Sequence, residues 1–431
     1  MKLVLEERVK FYANLCVVVG FTFGSIILAN ESIAVEFGEA VAGQTVKDRD
    51  RPEVDPDGVR LGNMLFYPIV TVTGEFNDNI FAIDGSIANE ISDEILIIEP
   101  AFILTSNWSR HKLVIFGRAE IGRFNDITSE DYEDFDFGFN GRIDIKHWTN
   151  IKTGVRFQRL HEERGTPSAV SGLTPTVYDV LTGEAELNHT QNRVSFSLRG
   201  EVKDLDYDNV LGSGGVIFNN DDRDRTIYQA GAEIGYDLSS GVRAFIEGRY
   251  NVQVYNAAID DNGFNRDSDG FAVIGGLHIE LTGKLSAKGS IGYRDQRYDD
   301  ASLVNINGVV WSLDVIWLPT GLTTVTVFSK RTIEETTLIG SSGYLLSRFG
   351  GQIDHEFIRN LIGSVFLEFQ TWDYQGITRE DNYLRTGVEV IYMLNRYLYA
   401  SVRFNFVDRD SNVLGQDYKR NIVAFSLRGA F

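Results

Sequence analysis

Arginines and carboxylates spaced at every second residue are the side chains in this 431-residue chain best placed to do chemistry. From 243 to 253 the odd positions read Arg243, Phe245, Glu247, Arg249, Asn251 and Gln253; from 193 to 203 they read Arg193, Ser195, Ser197, Arg199, Glu201 and Lys203. The same spacing supplies Arg118, Glu120, Arg142, Asp144, Lys152, Arg156, Lys288, Arg294, Glu368, Arg385, Arg403 and Arg428. Interspersed fixed cations and anions make a polar wall rather than a catalytic centre. Facing a water-filled passage, such a wall imposes a transverse field on solutes. Facing one another, the same groups pair and stiffen a lumen, and both readings stand at this point.

Other chemistries find less support. Six histidines are scattered. His111, His147, His189 and His355 lie beside tight turns, and His161 and His278 have no nearby Ser and acid that sequence alone could assemble into a triad, which is recognised by geometry. Glycine-rich phosphate loops, Cys/His metal spacing and cofactor motifs are missing from the sequence. The loops at 77–94, 206–223 and 256–268 are acidic, the last reading Asp260, Asp261, Asn262 and then Asp267, Ser268, Asp269, Gly270. That spacing lacks the distal glutamate of an EF-hand, so solvated loops are expected, with room for one or more to fold inward as a constriction. No enzyme, metal or cofactor is expected. A formal charge of -20 argues against nucleic acid as a partner.

The elements that carry this wall alternate with period 2. The even positions opposite the charged residues are Val242, Ala244, Ile246, Gly248, Tyr250, Val252 and Val254 in one stretch, and Val194, Phe196, Leu198, Gly200 and Val202 in the other. One face is apolar and the other polar, as in a strand with lipid on one side and water on the other. Eighteen such segments fit between about residue 65 and residue 431, and sixteen remains open because the first two are the least regular.

Eight of the connections are short. They are placed at Asn107 to Arg110, Thr149-Asn150, Thr190-Gln191-Asn192, Ser239-Ser240, Thr282-Gly283, Pro319-Thr320, Arg359-Asn360 and Asn395-Arg396, with aromatic residues such as Trp148, Tyr236 and Trp317 beside them. The connections between them are longer and acidic. Short turns at one end, long loops at the other and interfacial aromatics describe a transmembrane antiparallel up-and-down β-barrel, all-β, over residues 64–431. A hydrophobic content of 43% and a mean hydropathy of -0.13 fit, because only alternate residues meet lipid. The competing fold is an amphipathic sheet packed on one side.

Residues 1–34 read as a secretory signal peptide. Lys2, Arg8 and Lys10 precede an apolar run from Leu15 to Ala29, followed by small-residue sites ending at Ala29 and Ala34, with cleavage expected after Ala34. The run is too short for the roughly 20 residues of a spanning helix. It holds Cys16, the only cysteine, so the mature chain should lack thiol chemistry. Residues 35–63 are expected to form a periplasmic linker, with Lys47-Asp48-Arg49-Asp50-Arg51-Pro52 as a solvated tail in preference to a docking segment.

The last strand alternates Val423, Phe425, Leu427 and Gly429 with Ala424, Ser426, Arg428 and Ala430, and ends at Phe431. A terminal aromatic in the lipid-facing register resembles the signal read by the barrel assembly machinery. Two stretches carry a family resemblance. One is Pro68 with Gly74-Glu75-Phe76-Asn77-Asp78-Asn79-Ile80; the other runs from Asp417-Tyr418-Lys419-Arg420-Asn421-Ile422-Val423 to Phe431. Together they resemble the β-barrel porin 2 family of proteobacterial outer-membrane proteins. The resemblance implies the bacterial outer membrane, with its lipid and lipopolysaccharide as surroundings. For some members it implies a link to exopolysaccharide or capsule export with periplasmic and inner-membrane partners. The functional expectation is a porin-like conduit for polar solutes; the alternative is a non-conducting structural or adhesive barrel.

Overall fold

The computed structural model describes residues 45–49, 51–166, 169–170, 172–281 and 283–431. The expected signal peptide and the start of the linker lie outside the described residues. Eighteen long strands form one antiparallel sheet that closes on itself. In chain order they are β1 Met64–Asn77, β2 Asp93–Ser106, β3 Lys112–Phe124, β4 Tyr132–Lys146, β5 Thr149–His161, β6 Val177–Gln191, β7 Val194–Tyr207, β8 Arg225–Ser239 and β9 Val242–Tyr255. They continue as β10 Ser268–Leu281, β11 Leu285–Tyr298, β12 Ile306–Thr320, β13 Thr323–Glu335, β14 Gly343–Ile358, β15 Leu361–Gln375, β16 Glu380–Asn395, β17 Leu398–Ser411 and β18 Tyr418–Ala430. Among the described residues the helical structure is three short 3-10 turns.

Period-2 alternation sets which face each residue takes. In β9, Ile246 is 66% exposed, and it sits in register with Ile234 of β8 and Gly275 of β10 in an outward apolar band. Its chain neighbour Glu247 pairs in register with Glu233 and Ile274 on the opposite, inward face. A one-residue slip would turn every charge outward, so the register is strongly specified. Closure is made by β1 on β18, from Ile69 opposite Ala430 to Asn77 opposite Ile422. Each of the eighteen long strands is thereby paired on both sides.

Several short turns fall one or two residues later than the sequence indicates. The turn expected at Thr149-Asn150 is at His147-Trp148, earlier than expected, while those expected at Ser239-Ser240, Pro319-Thr320 and Asn395-Arg396 lie at Ser240-Gly241, Gly321-Leu322 and Arg396-Tyr397. For the three later turns the leading strand has an irregularity just before the turn, with register shifts at Asp237/Ser239, Trp317/Thr320 and Met393/Asn395. An extra residue there bends the strand and carries pairing past the polar residues that mimic a turn. At Gly241 the backbone takes φ +82 and an added Cβ would lie 2.3 Å from the Glu280 carbonyl oxygen, so glycine is required at that corner.

The segment before β1 is not a solvated tail. Val46 is fully buried among Ile362, Met393 and Tyr399, and the side chain of Lys47 is only 7% exposed. Charged residues Lys47 and Arg51 look like linker in sequence, but their partners are carboxylates on strands some 300 residues away, which local composition does not reveal. Residues 59–61 then form a short strand on β1.

Candidate functional site

The inner wall is the site, and it is built from pairs. Arg156 of β5 donates Nε and Nη2 to the two carboxylate oxygens of Asp136 on β4, at 2.8 and 2.7 Å. Arg199 of β7 reaches Glu186 of β6 at 2.6 Å, and Lys152 approaches the same carboxylate at 3.8 Å. Arg118 bridges Glu99 at 2.7 Å and Glu120, while Arg348 meets Glu368 at 2.6 Å and Arg403 meets Glu389 at 3.2 Å. Closer to the short-turn end Arg142 pairs with Asp144 and Arg243 with Asp237, at 2.8 and 2.7 Å; Arg249 and Glu247 pair along one strand.

The remaining cations named from sequence also lie on the inward face. Arg294 donates to Gln296 at 3.4 Å, Arg385 and Arg428 lie over the rings of Tyr383 and Tyr399, and Lys288 sits in register between His278 and Asp314. Glu201 is buried on β7. Most of the named arginines are therefore held by a carboxylate on the same or the next strand. A wall of fixed, mutually oriented charges presents strong local dipoles to a solute while the pairs keep the side chains in place.

The long-loop mouth is narrowed by loops that fold inward. Residues 162–166 reach across to the far side of the closure seam: Arg409 of β17 donates to the Gly165 carbonyl at 3.0 Å, and Arg420 of β18 donates to that of Arg164 at 3.3 Å. Gly165 has φ +87, and a Cβ there would lie 2.6 Å from Ala82 and 3.2 Å from the Tyr418 ring. Only glycine permits this approach. Arg164 is in turn clamped by both oxygens of Glu130, at 2.7 and 2.8 Å. In the next loops Arg223 forms a two-pronged pair with Glu162 at 2.7 and 3.0 Å and lies 4.0 Å above Tyr207, which stacks on Tyr178. Burial alone would lower the pKa of Arg223, but the Glu162 carboxylate and Tyr207 outweigh it and raise it.

The 256–268 loop is anchored the same way. Arg266, 1% exposed, donates to Asp260 at 2.6 Å and to the carbonyls of Thr336 and Ser341 at 2.7 and 3.1 Å. This acidic loop is thus held by an internal ion pair, and among the described residues no group of three or more His, Cys, Asp or Glu could hold a metal ion. The 162–176 loop was not singled out by its composition. Its signal was the Arg164-Gly165 pair, legible only with its remote partners known.

The histidines have separate partners. His161 meets Asp134 at 3.0 Å and stacks on Tyr132, whose hydroxyl donates to Glu120 at 2.9 Å. The acid that sequence could not assign lies one strand away. His189 and His355 each contact a threonine, Thr149 and Thr323, at 2.9 and 3.0 Å by the short turns.

Closed 18-stranded architecture, an outward apolar band and an inward charged wall meet a family match that spans residues 51–431, under the description "Putative beta-barrel porin 2". The chain belongs to that family. As a member of this porin family it is a porin-like barrel of the bacterial outer membrane. No curated protein matches it. Among solved structures it is similar to the outer membrane protein OpdK of Pseudomonas aeruginosa, at 11% identity over 85% of this chain and 99% of that one, with a TM-score of 0.44. It is also similar to OpdO of the same organism, at 12% identity over 86% and 98% with a TM-score of 0.45, and to its siderophore receptor PirA, at 9% over 85% and 80% with a TM-score of 0.44. The two stretches that carried the family resemblance are neighbours in this porin 2 barrel, where they form the closure seam.

Proposed function

We propose that this barrel is a passive conduit for small polar and charged solutes across the outer membrane, and not an enzyme. The observation that carries this reading is the inner wall: arginine–carboxylate pairs from β2 to β7 and from β14 to β17 line the inside of a barrel of porin size, and barrels of this strand number leave an aqueous channel. Paired charges favour polar solutes over apolar ones without committing the wall to one sign. By the rule that short turns face the periplasm, the inward-folded loops lie at the cell surface and residues 45–49 and 51–57 at the periplasmic mouth. No feature of the wall singles out a saccharide polymer.

A second reading has one specific observation in its favour. Both mouths carry docked segments, so a barrel that stays closed and serves a structural role would look the same from the wall alone. Liposome swelling separates the two. Proteoliposomes of the folded protein should swell in small sugars and amino acids and stop swelling as solute size grows. No swelling in any solute, from protein shown to be folded by its heat-modifiable migration, would favour the closed structural barrel.

A further inference from the structure

The N-terminal segment ahead of β1 makes a set of contacts that a linker does not need. The backbone N–H of Val46 donates to Thr324 of β13 at 2.8 Å, and its side chain packs on Ile362 of β15 and Met393 of β16. Lys47 lies 3.2 Å from Asp354 of β14 and 3.6 Å from Glu389 of β16. Arg51 donates to Glu356 at 2.8 Å and to the Arg359 carbonyl at 3.0 Å, with Arg49 3.4 Å from the same Glu356. Tyr399 of β17 donates to the Val54 carbonyl at 2.6 Å. The chain therefore crosses the inward side of five consecutive strands at their short-turn ends before pairing with β1.

The contacts also run the other way. Arg359 and Arg396, in two successive short turns, reach back to Glu53 at 3.3 Å and to Asp57, and Arg396 donates to the Pro52 carbonyl at 3.0 Å. Cations of the segment meet carboxylates of the wall, and cations of the rim meet carboxylates of the segment.

We propose that residues 45–49 and 51–57 are a docked strap that narrows the short-turn mouth and, through Lys47 and Arg51, sets the ion preference of the conduit. Asp354, Glu356 and Glu389 cluster on the inner rim, where Lys47 meets Asp354 and Glu389 and Arg51 meets Glu356. Arg403 shares Glu389 with Lys47, and Gln352 and Ser364 donate to Asp354, so removing Lys47 and Arg51 takes the ion-pair partner from Asp354 and leaves Glu356 with Arg49. Charged rings near a constriction are what select ions in a pore. Loss of the Lys47 and Arg51 charges therefore makes this part of the rim more negative towards the solute. This inference rests on the conduit reading for its functional half and on geometry alone for the docking.

Two measurements on the full chain test it. The first is the double variant Val46→Cys/Ile362→Cys, which should form a disulfide in the folded protein under mild oxidation; failure to cross-link would overturn the docked strap whatever the conductance shows. The second compares wild type with Lys47→Ala/Arg51→Ala in planar bilayers under a KCl gradient, using protein that migrates as folded. The variant should conduct more, and its reversal potential should shift towards K+ preference. A channel in the wild type that is unchanged in the variant would overturn the strap's role and leave the conduit standing. A silent wild type with a conducting variant would support the strap as the block, and silence in both would end the conduit reading and this role together. Adding the Lys47→Ala/Arg51→Ala pair to the cross-linked variant should keep the conductance at the wild-type size until a reductant is added, while the shift towards K+ preference persists.

Discussion

The carboxylate of Asp78 accepts two hydrogen bonds from Asn421, one from its backbone N–H and one from its side-chain amide, each at 2.7 Å. The Asp78 N–H returns a bond to the Asn421 carbonyl at 3.2 Å. These residues are 343 apart in sequence and sit where the first and last strands leave the long-loop end. Asn79, fully buried, continues the seam by donating to the Lys419 carbonyl at 2.9 Å while its own carbonyl accepts from Arg420 at 2.9 Å. The barrel is closed here by side chains as well as by the ladder.

Asp78→Ala should therefore loosen the seam. Loss of two hydrogen bonds to a charged group costs about 1.5–3 kcal/mol each at most, and the Asn421 donors are left to water. A lower midpoint of heat-modifiable unfolding, with Asn421→Ala giving no further loss in the double variant, is the expected result. Additive losses would show that the two residues act separately.

The two faces should differ sharply in their tolerance of charge. Arginine at Ile246 or Leu198, both exposed on the apolar band, would sit near the bilayer midplane at a cost of about 2–4 kcal/mol. Exchanging Arg249 or Arg199 for lysine should be mild. Folded yield after expression checks this, and equal yields on both faces would contradict the assignment of lipid and lumen.

Glu162→Ala should free the loops at the long-loop mouth. It strips Arg223 of its carboxylate while both are buried, and breaking such a pair costs about 3–5 kcal/mol. Protease sensitivity of residues 208–224 should rise while the strands stay intact. Unchanged digestion would show that this pair does not hold the mouth.

Acidity should tighten the same loop. Asp224 accepts the Tyr207 N–H at 2.7 Å, and burial, opposed by that bond and reinforced by Asp206, Asp221 and Asp204, pushes its carboxyl up to about 6 from 3.8. The folded state thus prefers the neutral acid. Its contribution is greatest below the unfolded value, is lost as pH rises from about 4 through about 6, and changes little above that. Hydrogen exchange in residues 208–224 should speed up over that interval relative to the strands, and Asp224→Asn, which keeps an acceptor, should flatten the dependence.

Phe431 supplies a separate expectation. It is 57% exposed in the outward register, lies 5.5 Å from the Tyr397 ring and donates its N–H to the Pro68 carbonyl at 3.2 Å. Deleting it should lower the yield of assembled barrel in cells more than the stability of barrel already folded. Equal effects on both would reduce it to an ordinary packing residue.

Strands were legible because membrane and water impose a strict two-residue period; β9 could be read residue by residue from Val242 to Val254. The seam was legible only as two motifs, since nothing local says that Asp78 meets Asn421. Contacts between remote residues were lost for the same reason. Lys47 and Arg51 look solvated until Asp354 and Glu356 are placed beside them, Gly165 looks like any loop glycine until Tyr418 closes over it, and His161 gains its acid only when β4 lies against β5. Turn positions slipped where a strand irregularity, such as that between Trp317 and Thr320, let pairing run on through polar residues.

Single-channel recording tests the central claim most directly. Folded protein in a planar bilayer, as wild type and as the Lys47→Ala/Arg51→Ala variant, should give stepwise currents. Neutralising Arg199, Arg243 and Arg249 on the inner wall should change their size or ion preference. Silence from both proteins at every applied voltage would contradict a conduit and leave a closed structural barrel.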